Sequence, residues 1–285
     1  MIIDLKTRNI SLTEALNLAS EYDEILLDSK TYYEKVRIGI PHLTLKGREG
    51  SKISFDDYHG KPTRVEDSHL GEEYGTTTSA TVTVTSDARF FRAENVTFEN
   101  THYLSGNHYQ AVAFKSEGNN TTLKNCKFIG RQDTLMFDFT KGNLVKNCYI
   151  EGDVDFIFGS SDVTLIGCEI LAKDYSGGAY YTAPSTLLVY DYGFVFYDCT
   201  FKSETNVIPY LGRPWFPTKA PAPVHPRASF VNCSFDKINP TFIGMSKSSD
   251  DIELVIANSN SNGVALEEKG NSQRILDYLK RYINK

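Results

Sequence analysis

The stretch Leu123-Lys-Asn125-Cys126-Lys-Phe128 recurs along the chain. In every copy Asn, Gly or Asp precedes a central Cys or Val, and Phe or Ile follows that central residue two positions later. Asn, Asp and Gly tolerate a left-handed backbone, so each copy marks a tight corner. The other copies are Ala93-Glu-Asn95-Val96-Thr-Phe98, Val145-Lys-Asn147-Cys148-Tyr-Ile150, Leu165-Ile-Gly167-Cys168-Glu-Ile170, Phe196-Tyr-Asp198-Cys199-Thr-Phe201 and Phe230-Val-Asn232-Cys233-Ser-Phe235.

The spacing of these copies predicts a solenoid. Their central residues are 30, 22, 20, 31 and 34 positions apart, which is typical of one supersecondary unit per turn with insertions at the corners. The units carry short alternating segments, such as Ala80-Thr-Val-Thr-Val-Thr85, and lack the long helical stripes of a β/α barrel. We therefore predict an all-β parallel β-helix with an interior ladder of cysteines and aromatic side chains.

Helical patterns occur only near the two ends of the chain. Residues 12–19 follow a capping box, Ser11-x-x-Glu14, and a second apolar stripe runs over residues 275–283. We expect both helices to cap the solenoid and residues 1–285 to form a single domain. The proline-rich segment Pro209–Pro226 is predicted to be a long surface loop, which is either functional or a tolerated insertion.

Composition and charge exclude several classes of protein. The 285 residues are 40% hydrophobic and 23% charged, as in ordinary globular proteins, and no apolar run approaches the roughly 20 residues of a membrane helix. The net charge of −6, without clustered Lys or Arg, argues against a nucleic-acid partner. The five cysteines form no C-x-x-C and the six histidines lack metal-ligand spacing, so we expect reduced thiols, no metal and no cofactor.

The beginning of the chain leaves the compartment open. Met1-Ile2-Ile3-Asp4-Leu5-Lys6 lacks the basic, apolar and small-residue succession of a signal peptide. If Met1 is the natural start, we expect a cytoplasmic protein. The alternative is a secreted protein whose signal was removed and replaced by Met.

The repeat also brings two acids together. Asp133 and Asp155 each lie seven residues after a repeat cysteine, Cys126 and Cys148, so coils in register stack them about 5 Å apart. Two like charges at that distance do not both ionise easily, so one pKa rises while the other stays low, which separates an acid from a nucleophile. The alternative is a pair of solvated aspartates on unrelated corners.

Residues beside the two acids favour chemistry at this place. Gln132 adjoins Asp133, and its uncharged amide is suited to donate to a developing oxyanion. Phe156 and Phe158 follow Asp155 closely, and as aromatic residues in a strand pattern they are expected in the core unless one of them is exposed to a sugar.

Four runs together resemble the signature blocks of the pectinesterase family, the pectin methylesterases, in the family's order. Gly75-Thr76-x-x-Ser79-Ala80-Thr81 and Lys30-Thr31-Tyr32-Tyr33-Glu34-Lys35-Val36 also resemble its amino-terminal blocks, so the similarity covers about residues 8 to 240. The four runs are Gln110-Ala-Val-Ala-Phe114, Gly130-x-Gln132-Asp133-Thr134-Leu135, Gly152-x-Val154-Asp155-Phe156-Ile157-Phe158-Gly159 and Leu211-Gly212-Arg213-Pro214-Trp215.

The resemblance implies a right-handed parallel β-helix that hydrolyses galacturonate methyl esters to carboxylate and methanol without a metal. The implied partner is methyl-esterified homogalacturonan or oligogalacturonides, short ones if the protein is cytoplasmic, and we expect a monomer. By motif, Asp155 is the implied nucleophile, Asp133 the general acid and then base, Gln110 and Gln132 the oxyanion donors, Arg213 the partner that orients Asp155 and keeps it ionised, Trp215 a sugar platform, and Phe158 and Thr76 cleft residues.

The chain also departs from the family pattern. Asp153 stands where many relatives have an uncharged residue, and in the groove it would raise carboxylate pKa values and repel an anionic product. The segment 216–227 differs from the plant form, which leaves the substrate contacts there open, and residues 241–285 match no block.

Rival functions remain open from the sequence. A polygalacturonase of the inverting kind needs carboxyls about 6.5–9.5 Å apart, wider than adjacent coils provide. A calcium-dependent lyase needs clustered acids, which Asp133, Asp153 and Asp155 would imitate. A non-catalytic carbohydrate-binding solenoid would keep the groove without the chemistry. Serine-hydrolase chemistry is disfavoured because no G-x-S-x-G occurs.

Overall fold

The computed structural model describes residues 1–204, 206, 208–217, 222–244 and 252–283. Short strands form three sheets that run along the molecule, and all named strand pairs but the last are parallel. A full coil of chain passes through sheet 1, turns at the repeated corner, passes through sheet 2 and continues into sheet 3. The prediction of a parallel β-helix is confirmed.

The strand bounds in each sheet follow. Sheet 1 contains β1 (Ile2–Asp4), β2 (Glu24–Leu26), β5 (Thr44–Lys46), β8 (Arg92–Glu94), β11 (Thr122–Lys124), β14 (Asn143–Lys146), β17 (Val163–Ile166), β20 (Phe194–Tyr197), β23 (Arg227–Val231) and β26 (Glu253–Ala257). Sheet 2 contains β3 (Thr31–Tyr33), β6 (Lys52–Phe55), β9 (Thr97–Asn100), β12 (Lys127–Ile129), β15 (Tyr149–Gly152), β18 (Glu169–Ala172), β21 (Thr200–Ser203), β24 (Ser234–Phe235), β27 (Asn260–Ser261) and β28 (Val264–Ala265). Sheet 3 contains β4 (Val36–Ile38), β7 (Val82–Val84), β10 (Phe114–Ser116), β13 (Leu135–Phe137), β16 (Ile157–Gly159), β19 (Tyr180–Pro184), β22 (Tyr210–Gly212) and β25 (Asn239–Phe242).

The helices lie near the chain ends, as predicted. Both halves of the capping box at Ser11 are present, and the following helix buries Leu12 and Ala15 in the main core, so it closes the first coil. The last helix does not cap the other end, because its buried side chains pack on the outer face of sheet 1, against valines such as Val195. The α-helices are α1 (Leu5–Arg8), α2 (Leu12–Leu18) and α3 (Ser272–Ile283), and 3-10 turns occupy Val65–Leu70, Thr76–Thr78 and Thr101–Ser105. The described part of the chain contains no helix long and apolar enough to cross a membrane.

The repeated corners have the predicted left-handed backbone. The residue before each central Cys or Val has φ between 52° and 61°, in all six copies. Two further corners escaped the sequence analysis because Ser replaces Cys: Gly50 precedes Ser51 with φ 82°, and Asn258 precedes Ser259 with φ 48°. The Ser259 hydroxyl accepts the Cys233 N–H at 3.0 Å, so a small polar side chain serves at the same place in the coil.

Cysteines and phenylalanines form the interior ladder. All five cysteines are buried free thiols, and each Sγ lies near a carbonyl oxygen of the preceding coil, as between Cys148 and Leu123 at 3.6 Å. On the neighbouring positions Phe201 stacks on Phe235, with ring centroids 4.5 Å apart. These ladders hold successive coils in register, and that register places the side chains of the site.

The proline-rich segment is less irregular than predicted. Strand β22 (Tyr210–Gly212) lies inside it, and Val224 forms an isolated bridge with Leu187. Residues 218–221, which belong to the same predicted loop, lie outside the described residues.

Candidate active site

One cavity of about 350 Å³ lies on the outer face of sheet 3, beside the loops that connect strands of sheet 2 to strands of sheet 3. The structure brings every predicted site residue to this cavity, and it adds Thr77 and Ala183, which sequence reasoning missed. The predicted residues that line it are Thr76, Gln110, Gln132, Asp133, Asp155, Phe158, Arg213 and Trp215.

Asp133 and Asp155 occupy equivalent positions on adjacent coils. Strands β13 and β16 pair with Leu135 opposite Ile157, so the two acids, each two residues earlier, share one register position. The Asp133 N–H donates to the carbonyl of Val154 at 3.1 Å. Both acids have left-handed backbones, with φ 65° and 53°, and both residues are buried, exposed by 7% and 5%. The alternative of unrelated solvated corners is thereby ruled out.

Arg213 binds only one of these acids. Its Nε donates to Asp155 Oδ1 at 3.0 Å and its Nη2 donates to Oδ2, which is the bidentate geometry that favours an ionised carboxylate. The guanidinium carbon lies over the Tyr180 ring, 4.4 Å from the ring centroid, in a cation–π contact. The Arg213 N–H donates to the Thr182 carbonyl at 2.9 Å, because residue 213 continues the parallel ladder beyond β22.

The environment raises the pKa of both acids, to different degrees. Burial raises the pKa of Asp133 well above its usual range, the charge of Asp155 raises it further, and Arg213 acts in the opposite direction. Burial also raises the pKa of Asp155, while the hydrogen bonds and charge of Arg213 lower it. The expectation that Asp155 keeps a low pKa is wrong, because desolvation outweighs the arginine. Asp133 is still the acid that holds its proton to higher pH.

Gln110 and Gln132 lie on neighbouring coils beside the acids. The N–H of Ala111 donates to the Gln132 carbonyl at 3.2 Å, and the N–H of His59 donates to the Gln110 carbonyl at 2.9 Å. Within the described residues, neither side-chain amide has a hydrogen-bond partner, although both residues line the cavity. Both amides are therefore available to donate to a bound molecule.

Aromatic rings form one wall of the cavity. Phe158 alternates with the interior residue Ile157 and so lies on the outer face of sheet 3, with its ring centroid 6.1 Å from that of Trp215. The backbone N–H of Trp215 donates to the Pro184 carbonyl at 2.9 Å, which fixes the residue beside Phe158. Both phenylalanines are buried, as the pattern suggested: Phe156 belongs to the main core, and Phe158, 3% exposed, belongs to a smaller buried cluster against which Trp215 packs.

Thr76 also lines the cavity, from the 3-10 turn Thr76–Thr78. Its backbone N–H donates to His59 Nδ1 at 3.1 Å. Since the His59 backbone N–H donates to the Gln110 carbonyl, His59 links this turn to Gln110. In the described part of the chain, no group of three or more His, Cys, Asp or Glu is placed to hold a metal ion.

Asp153 is buried and does not line the cavity. Its side chain is fully buried, with Oδ1 3.0 Å from His108 Nε2 and Oδ2 3.4 Å from Arg131 Nε. The concern that Asp153 faces the groove and repels an anionic product is therefore removed, although its charge does raise the pKa of both Asp133 and Asp155. Sequence reasoning missed His108, because it lies in an irregular segment without any pattern.

Comparison with solved structures supports the fold independently. Pectin methylesterase from Yersinia enterocolitica superimposes with a TM-score of 0.78 at 28% identity, over 94% of this chain and 96% of that one. Pectin methylesterase PemA from Erwinia chrysanthemi gives a TM-score of 0.80 over 97% and 94% of the two chains, and at 23% identity it shows likeness of fold alone.

Comparison of sequences adds family membership. Pectinesterase 31 of Arabidopsis thaliana is 36% identical over 169 residues, which cover 58% of this chain and 51% of that protein. Probable pectinesterase/pectinesterase inhibitor 64 of the same plant is 35% identical over 206 residues, covering 65% of this chain and 32% of that protein. The chain thus spans between about a third and half of the length of these relatives. The Pectinesterase family model matches residues 21–219, and the chain therefore belongs to the pectinesterase family.

Proposed function

We propose that this protein is a pectin methylesterase, a carboxylic ester hydrolase that converts galacturonate methyl esters into carboxylate and methanol with an aspartate nucleophile and an aspartate general acid/base. The observation that carries the proposal is the asymmetry of the two adjacent acids. Arg213 pairs with Asp155, whereas Asp133, one coil earlier, has no hydrogen-bonding partner for its carboxyl in the described residues. One acid is thereby suited to attack and the other to carry a proton.

In the first half-reaction, an Asp155 carboxylate oxygen attacks the ester carbonyl carbon. The carbonyl oxygen becomes an oxyanion, to which the free amides of Gln110 and Gln132 donate. The protonated carboxyl of Asp133 gives its proton to the departing methoxide oxygen, methanol leaves, and an acyl anhydride joins the substrate to Asp155. Because its pKa is raised, the Asp133 carboxyl holds the proton that this step needs.

In the second half-reaction, the Asp133 carboxylate takes a proton from water while the water oxygen attacks the acyl carbon. The bond to Asp155 breaks, the free carboxylate of Asp155 returns to its contact with Arg213, and Asp133 is protonated again. The newly formed galacturonic acid releases its proton to solvent. The balance is one ester and one water consumed for one methanol, one carboxylate and one proton.

The proposed substrate is methyl-esterified homogalacturonan or its oligomers. Trp215, which packs beside the buried Phe158, offers apolar surface against which a sugar ring packs beside the reacting ester. A second cavity of about 650 Å³ shares Thr77 and Trp215 with the first, so the groove continues past the reacting sugar. A groove longer than one ring favours a chain of sugars over a single methyl ester.

The test is methanol release from methyl-esterified galacturonate oligomers of graded length, measured together with chain length and absorbance of unsaturated products. We expect methanol without chain cleavage and without unsaturated sugars. Shortened chains would support a polygalacturonase, and unsaturated ends would support a lyase. Sugar binding without turnover would support a non-catalytic binding protein.

A further inference from the structure

Asp153 is a fully buried carboxylate two residues before Asp155. Its Oδ1 accepts the Val154 N–H at 2.7 Å and lies 3.0 Å from His108 Nε2. Its Oδ2 lies 3.4 Å from Arg131 Nε and has no hydrogen bond among the described residues. An ionised carboxylate in such a place is costly to bury unless charged or hydrogen-bonding partners surround it, and Asp153 has His108, Arg131 and the Val154 N–H as such partners.

The partners of Asp153 belong to the segments that carry the two free amides. His108 lies two residues before Gln110, and Arg131 immediately precedes Gln132. The backbone is tied as well, since the Asp153 N–H donates to the Arg131 carbonyl at 3.2 Å. One carboxylate therefore joins three stretches of chain, those of Gln110, Gln132 and Asp155.

An outer layer closes this cluster. The Tyr175 ring stacks on His108 with centroids 3.8 Å apart and an interplanar angle of 4°. Arg131 Nη2 donates to the Asp174 carbonyl at 3.3 Å, from the same loop between β18 and β19. Contacts with Tyr175 and Asp174 on one side and with Asp153 on the other limit the movement of the His108 and Arg131 side chains.

We propose that Asp153, through His108 and Arg131, is a positioning residue that sets the placement of the Gln110 and Gln132 amides toward the reacting ester. The proposal rests on the proposed esterase function. Neither amide is held by a side-chain hydrogen bond within the described chain, so their placement depends on the backbone segments that Asp153 joins. Oxyanion donors are effective only when they are already in place as the charge develops.

The charge of Asp153 gives a second readout. The charged and titratable groups around the cluster are His108 and Arg131 in contact, Asp133 and Asp155 nearby, Arg213 beyond Asp155, and Tyr175 and His102 around His108. Asp153 raises the pKa of both Asp133 and Asp155 by like-charge repulsion. Asp153→Asn keeps the shape and removes the charge, so both limbs of the kcat against pH profile should move to lower pH.

A double-mutant cycle tests whether His108 acts through Gln110. We expect His108→Ala to lower kcat roughly tenfold or more with little change in KM, because the donors act in the transition state. In a Gln110→Ala background the same change should cost less than about twofold, since the amide that it positions is gone. Arg131→Gln and Gln132→Ala form the parallel cycle.

Controls separate positioning from folding. His108→Gln keeps an N–H donor toward Asp153 and should recover much of the lost kcat. His225→Ala removes a histidine that lies 3.8 Å from the carboxylate of Glu253, outside the residues that line the cavity, and should leave kcat unchanged. If His108→Ala folds poorly, His108→Gln and Asp153→Asn carry the test.

Two results overturn the proposal. The first is an equal loss of kcat on His108→Ala in the wild-type protein and in the Gln110→Ala variant. The second is a profile of kcat against pH that does not move in Asp153→Asn. A wild-type protein that releases no methanol would instead refute the proposed function, and this proposal with it. An active wild type with equal losses refutes the positioning role alone.

Discussion

Arg213 binds both carboxylate oxygens of Asp155 from one side of the cavity, through Nε at 3.0 Å and through Nη2. The contact joins a residue just after β22 to one just before β16, so it bridges coils that are not neighbours in sheet 3. Only strand β19 lies between them, and its residue Tyr180 supports the guanidinium through its ring. The arginine thereby marks one of two otherwise similar acids as the charged one.

The first prediction concerns the two acids. Asp155→Asn and Asp133→Asn should each remove nearly all methanol release, because the first removes the proposed nucleophile and the second the proposed proton donor. Circular dichroism and melting curves should show a folded protein, because neither side chain belongs to the interior ladder. Asp198→Asn is a matched control, since Asp198 has a left-handed backbone at a corner outside the cavity. Wild-type turnover in either test variant would refute the assignment.

The second prediction concerns pH. Activity should fall at low pH as Asp155 is protonated and at high pH as Asp133 loses its proton. Arg213 lowers the pKa of both acids, so Arg213→Ala should move both limbs of the profile to higher pH, opposite to the shift expected for Asp153→Asn. Arg213→Lys keeps a charge without the bidentate contact and should shift the profile less. A profile that keeps its position in Arg213→Ala would contradict the role of the contact.

The third prediction concerns stability. A carboxyl whose pKa is higher in the folded than in the unfolded protein stabilises the fold below its unfolded pKa, and this contribution is lost as pH rises through the folded pKa. Asp133 is such a group, because burial raises its pKa. Asp133→Asn should therefore raise the melting temperature at neutral pH, by about 2 °C or more, and this gain should disappear in acid. A gain of the same size at both pH values would show that charge burial is not its cause.

The fourth prediction concerns Gln110 and Gln132, the proposed oxyanion donors. Gln110→Ala or Gln132→Ala should lower kcat about 10²- to 10³-fold with little change in KM, as for other oxyanion-hole donors. Steady-state kinetics on methylated oligomers measure both constants. A rise in KM at constant kcat would indicate that the amides bind substrate in its ground state and do not act on the transition state.

The fifth prediction concerns the aromatic wall. Trp215→Ala should raise KM for long oligomers more than it lowers kcat, because a stacking surface binds the sugar before and during reaction. Tyr33→Ala offers a control, since Tyr33 is an exposed aromatic residue outside the cavity. Equal effects of Trp215→Ala on long and short oligomers would place the tryptophan at the reacting sugar only.

Much of the scaffold could be predicted because the repeated corners carry recognisable residue types, Asn, Gly or Asp followed by Cys or Val. Cys126 and Cys148 are 22 residues apart with an uninterrupted coil between them, so counting from each reaches the two acids at one register position. The corner at Ser259 was missed because the repeat was recognised by its Cys or Val.

The other site residues could not be placed by counting residues from the repeat. Arg213 lies in a coil with long insertions, where the 34-residue spacing gives no register, and the family resemblance alone placed it at the site. The partnership of His108 with Asp153 depends on a segment without any period. The raised pKa of Asp155 follows from burial, which depends on how the loops pack over the acid.

The one-coil offset between the acids constrains how this protein tolerates changes in chain length. Adding or deleting a single residue in β13 or β16 turns alternate side chains to the other face, which would send Phe158 into the interior of the coil. Lengthening at a corner instead bulges outward and leaves the strands aligned. Extra coils appended beyond β26 would not disturb the pairing of β13 with β16, so we expect the molecule to accept elongation at its far end while strands β13 and β16 keep their lengths.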